Sequence, residues 1–126
     1  MSHLRTCSIK LSSLKLDIAE KALLNIAEQL GLNPKIVKEV KDLTGRTQAV
    51  DIGLQTDKFN YGIRLNKGKV EVVGDDWGQS IKLRQFAKLF TREYTAIAVA
   101  TAVKRLGFSV NTKREHNAVY IFGVRA

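Results

Sequence analysis

The sequence predicts an α+β fold: a largely antiparallel sheet of six or seven strands with two main helices on one face. Three observations carry it. Short segments with a period of two alternate with two long stretches whose apolar residues recur at three and four. Tight turn signals join the strand-like segments, which marks antiparallel neighbours. The 126 residues, 44% of them hydrophobic and 26% charged, are one domain's worth of ordinary globular chain, so residues 1–126 are read as a single α+β domain.

Thr6 to Leu11 sets Cys7, Ile9 and Leu11 against Thr6, Ser8 and Lys10, the alternation of a half-buried strand. Asp17 and Glu20 have capping-box spacing for a helix whose stripe is Ala19, Ala22, Leu23, Ile26, Ala27 and Leu30. Gly31 and Pro34 end it. Strands are expected over Lys35 to Lys41, Ala49 to Gln55 and Asn60 to Leu65. Asn66-Lys67-Gly68 then turns into a strand over Lys69 to Val73. From about residue 80 the period is helical again, with Leu83, Phe86, Ala87 and Phe90 on one side. A second helical stretch or a continuation carries Ala98, Val99, Ala102, Val103 and Leu106 to Gly107. Phe108 to Asn111 and Ala118 to Val124 close the chain as a hairpin around Thr112 to Asn117. Leu30-Gly31-Leu32 aligns with Leu106-Gly107-Phe108, so that the helices superimpose and two β-α-β-β halves become an expectation.

The charge is uneven. The chain carries 21 Lys and Arg against 12 Asp and Glu, a net charge of +9, and most of the excess lies in residues 79–126. Such a balance points to an anionic partner. Arg84, Lys88 and Arg92 stand four apart, which on a helix makes one cationic stripe suited to nucleic-acid phosphates, RNA or DNA. Lys82, Lys113 and Arg114 are secondary candidates for the same surface. A solvated basic face is the plainer alternative, and for Lys104 and Arg105 the helix dipole is reason enough. Tyr61, Tyr94 and Tyr120 could stack on bases, although tyrosines on strands are usually core.

Nothing points to catalysis. Cys7 has no histidine near it in sequence, and His3, His116 and one cysteine cannot furnish a closed zinc site. Asp75 and Asp76 could face a cation, but Asp76 with Gln79 also reads as a helix cap that folds Trp77 onto the core. Phosphate-cradling glycine motifs are absent. No catalytic residue, metal or cofactor is therefore expected. No stretch has the length to span a bilayer and no signal-peptide layout opens the chain, so an intracellular protein, cytoplasmic or in a plastid-like compartment, is expected.

In Met1-Ser2-His3, Gly45-Arg46-Thr47-Gln48 with Asp51-Ile52, Tyr61-Gly62, Val72 to Trp77, and Thr91-Arg92-Glu93-Tyr94 before Gly107-Phe108-Ser109-Val110, the chain resembles the uncharacterised family of the plastid hypothetical chloroplast reading frame thirty-five, domain of unknown function twelve fifty-seven. The resemblance implies a small non-enzymatic protein, with an AAA-type ATPase among its relatives' neighbours. Two function classes follow: a basic protein contacting nucleic-acid phosphates through the helix stripe, and a protein-protein adaptor or subunit that could partner such an ATPase.

Overall fold

The computed structural model describes residues 3–116 and 118–125, so Met1, Ser2, Asn117 and Ala126 lie outside the described residues. Strand β1 (Arg5–Ile9) leads into helix α1 (Leu16–Gln29). Four strands follow: β2 (Lys35–Lys41), β3 (Thr47–Gln55), β4 (Asn60–Asn66) and β5 (Lys69–Gly74). Helix α2 (Leu83–Arg105) then precedes β6 (Phe108–Glu115) and β7 (Ala118–Arg125). The fold is α+β with every strand pair antiparallel. Its seven described strands form two sheets, one of five in the order β1-β5-β4-β3-β2 and a separate hairpin β6-β7.

Helix α1 begins at Leu16, one residue before Asp17, so the expected capping box does not form. Asp17 sits instead in the first turn, where its negative charge favours the helix dipole. The start is held from outside: the Lys15 N–H donates to the Tyr94 hydroxyl at 2.8 Å. The end is a Schellman motif. Gly31, at φ +68°, donates to the Glu28 carbonyl, and the Leu32 N–H donates to the Ala27 carbonyl. Leu30 is the C-cap and largely exposed, so the buried stripe stops at Ala27.

Turns set the sheet. Lys67 and Gly68 both have positive φ, which makes the β4-β5 turn type I′ and pairs Asn66 with Lys69. Between β2 and β3, Asp42 accepts hydrogen bonds from the Thr44 and Arg46 N–H groups, each at 2.9 Å, and from the Thr44 hydroxyl at 2.6 Å. Gly45 supplies the positive φ this loop needs.

The core lies between the five-stranded sheet and the two helices. Ile52, Leu54, Tyr61, Ile63, Val70 and Val72 meet Leu23 and Ile26 of α1 and Phe86 and Phe90 of α2. The Tyr61 and Phe86 rings stack with centroids 4.7 Å apart. Gly74 lies opposite Tyr61 in the ladder, and a Cβ there would enter the tyrosine ring.

The two helical stretches of the C-terminal third are one helix of 23 residues. Its first half packs in the core. The second half outruns the sheet and meets the β6-β7 hairpin, where Val103 abuts Gly123. Val99 and Leu106 stay exposed. The hairpin is longer than its sequence suggests: Thr112 to Glu115 continue β6, pairing with Ile121 to Ala118, and His116 opens the turn at φ +49°. Alternation is hard to see in Thr112 to Glu115 because every side chain there is polar.

The order β-α-β-β does recur, as β1-α1-β2-β3 and as β5-α2-β6-β7, with β4 between. Spatially the halves differ, since β2-β3 joins the large sheet and β6-β7 does not.

Candidate binding groove

Helix α2 has three distinct sides. One carries Phe86, Phe90 and Tyr94 into the core. A second meets the hairpin. The third, where Arg84, Lys88 and Arg92 recur at four, lines a groove of 1540 Å³. Cys7 to Lys10 of β1 and its exit bound the groove on one side, Val119 and Ile121 of β7 on the other. Among the described residues β1 has a neighbour on one side only, β5, and β7 has only β6, so each presents an unpaired strand edge.

The groove is apolar at depth and cationic along its length. Ala87, Leu89, Ala96, Val99, Val119 and Ile121 contribute carbon and Lys10, Arg84, Lys88 and Arg92 contribute charge, while no acidic side chain among the described residues lines the groove. Arg84 and Lys88 are exposed and Arg92 half-buried. None of these four basic side chains has an ion-pair partner among the described residues. Sequence reasoning missed Lys10, because a lone lysine after a strand carries no pattern. A second hollow of 470 Å³ shares Lys10, Thr95 and Val99 with the groove and adds Lys15, Lys21 and Arg105, with Asp17 its one acidic residue. The cationic track thus continues toward the C-terminal end of α2.

The secondary candidates lie elsewhere. Lys82 Nζ donates to the Asp76 carbonyl at 2.9 Å. Lys113 pairs with Glu115 at 2.8 Å on the outside of the hairpin. Arg114 turns inward to the carboxylate of Glu93, fully buried on α2, with Nη2 at 2.7 Å from Oε1 and Nε at 3.5 Å from Oε2. The hydrogen bond to Glu93 raises the Arg114 pKa further above its already high value, against the opposing effect of burial. That pair clamps the hairpin to the helix. Of the basic residues singled out in the sequence, Lys113 and Arg114 are therefore matched by carboxylates and Lys82 by a carbonyl, while Arg84, Lys88 and Arg92 are left open to the groove.

Of the tyrosines, Tyr61 and Tyr94 are core and Tyr120 is half exposed on the outer hairpin face, its ring stacked with Phe122. Tyr61 donates to the Ile81 carbonyl, and burial, reinforced by Asp76 and Asp75, pushes its pKa up. Among the described residues no aromatic side chain lines the groove.

Asp75 and Asp76 are occupied by the chain itself. The Asp75 carboxylate accepts from the Leu43 N–H at 3.3 Å and the Trp77 N–H at 2.9 Å, and its carbonyl accepts from the Gln79 amide. Asp76 accepts from the Leu83 N–H at 2.7 Å, so it caps α2 across seven residues rather than as the adjacent capping-box residue. Gln79 is drawn to Asn60 and Asp75, and Trp77 projects outward, 57% exposed. Among the described residues no group of three or more His, Cys, Asp or Glu side chains could hold a metal ion, and no helix is long and apolar enough to cross a membrane.

No curated protein and no solved structure matches the chain. A family model described as a protein of unknown function, DUF1257, matches residues 26–121, which takes in the groove's helix and both of its hairpin contacts, and the chain belongs to that family.

Proposed function

We propose that the protein is a non-enzymatic adaptor or subunit that takes an acidic polypeptide segment into the groove over α2. The observation that carries this reading is the pairing of unneutralised Lys10, Arg84, Lys88 and Arg92 with an apolar floor that no aromatic ring interrupts. Aliphatic floor beneath a cationic rim suits alternating apolar and acidic side chains. A phosphate backbone uses the charge but gains nothing from the floor, and its bases find no ring to stack on.

The stripe's spacing favours a second reading, nucleic-acid binding. Successive members of Arg84, Lys88 and Arg92 rise about 6 Å along the helix, of the order of the step between phosphates of an extended strand. Fluorescence anisotropy with two labelled probes, a peptide in which Val and Glu take turns at every second position with Thr between them and a mixed single-stranded RNA and DNA pool, separates them. The adaptor reading expects the peptide to bind more tightly and to retain part of its affinity at high salt through the floor. Exchanging Arg84, Lys88 and Arg92 together for Gln should weaken it by about tenfold or more. Tighter binding of the nucleic-acid pool, with a log K against log salt slope that the triple variant flattens by about two units, would replace the adaptor reading.

A further inference from the structure

The two halves of the chain differ in one strand. The first strands of the halves, β1 and β5, pair with each other. In the first half the hairpin β2-β3 reaches β5 through β4, which lies between β3 and β5. Exchanging the halves maps β5 onto β1 and β3 onto β7. The counterpart of β4 would then lie between β7 and β1. That place is the groove, with β1 on one side, β7 on the other and α2 beneath.

We propose that an acidic segment of a partner polypeptide inserts there as a β-strand, joining the five-stranded and two-stranded sheets into one. This rests on the reading of the groove as a polypeptide site. Both flanking edges are unpaired among the described residues, so an inserted strand can satisfy its own backbone groups and theirs on both sides. Its alternate side chains would face α2, where Ala96, with Val119 and Ile121 from β7, offers apolar contact and Arg84, Lys88 and Arg92, with Lys10 from the exit of β1, select carboxylates over lysine or arginine.

The test uses the full chain and a peptide of seven residues, the length of β4, in which Val and Glu take turns at every second position with Thr between them, so that the side turned to α2 carries both. In a strand paired on both sides, amides of one parity bond to one neighbour and those of the other parity to the other. Two analogues are therefore made, each N-methylated at residues of one parity. Insertion predicts that both lose about tenfold or more in affinity, and that the unmodified peptide slows amide exchange in β1 and in β7 together. If the peptide binds but one or neither analogue is weakened, or β7 gains no protection, insertion between the sheets is wrong while the groove remains a polypeptide site. If the peptide fails to bind and a uridine oligonucleotide binds through Arg84, Lys88 and Arg92, the polypeptide reading falls and insertion falls with it. Binding of neither probe overturns both.

Discussion

Glu93 and Arg114 show how far a residue's role depends on what folds against it. In the sequence Arg114 is one of a run of charges with Lys113, Glu115 and His116, and Glu93 is one acid in a basic helix. In the structure Glu93 is fully buried and Arg114 is its fork-shaped partner across 21 residues. Removing Arg114 should leave a buried carboxylate unmatched. The Arg114→Ala change is expected to lower stability by about 2 kcal/mol, below the usual range for a buried pair because the guanidinium side chain is 42% exposed. Urea unfolding checks the figure, and the Glu93→Leu, Arg114→Leu double change should recover much of the loss. Asp42 makes a pH prediction. Hydrogen bonding from Thr44, more than offsetting burial, and from the Arg46 and Thr44 backbone holds its pKa below the ordinary 3.8. The folded pKa is depressed, so the stabilisation is complete above about pH 4 and lost as pH falls through the folded value. Asp42→Asn should therefore flatten the acid limb of the stability curve below pH 4, read by thermal unfolding across pH. An acid limb identical to that of the wild type would remove Asp42 from the loop's energetics.

At the scale of elements, local chemistry decides where helices stop more firmly than where they start. Gly31 ends α1 in a left-handed conformation with open space around its α-carbon, so a substitution there meets backbone strain and no clash. Gly31→Ala should cost about 1 kcal/mol with the fold unchanged, measurable as a shift of the denaturation midpoint without a change in its slope. The starts lean on distant groups as well. The Lys82 N–H donates locally to Gln85 Oε1 at 3.1 Å, but Tyr94 holds the entry to α1 and Asp76 caps α2 across a loop, and neither of these two partnerships has a fixed spacing that a sequence could display. The strands β2 to β5 were legible because their apolar residues alternate between turn residues, even though Val73, beside the core residue Val72, is also buried, in a separate cluster with Val40 and Val50. The length of β6 was not, because its outer residues Lys113 and Glu115 pair with each other while Arg114 points inward, so polarity hides the alternation.

Across the whole molecule, the sequence by itself determined the α+β class, the antiparallel turns, the two helices and the stripe of Arg84, Lys88 and Arg92. These depend on periodicity and on residues adjacent in the chain, where backbone geometry leaves little freedom. Only the tertiary structure decided that the seven described strands divide into sheets of five and two, because the choice of sheet neighbour is a contest between distant segments. It also decided which cations remain open. Arg114 and Lys113 are matched by carboxylates, whereas Arg84, Lys88 and Arg92 gain Lys10 from the exit of β1, more than seventy residues away in the chain. Charge is a property of composition, but whether it is neutralised depends on which elements pack together, and that information appears only when the chain closes on itself.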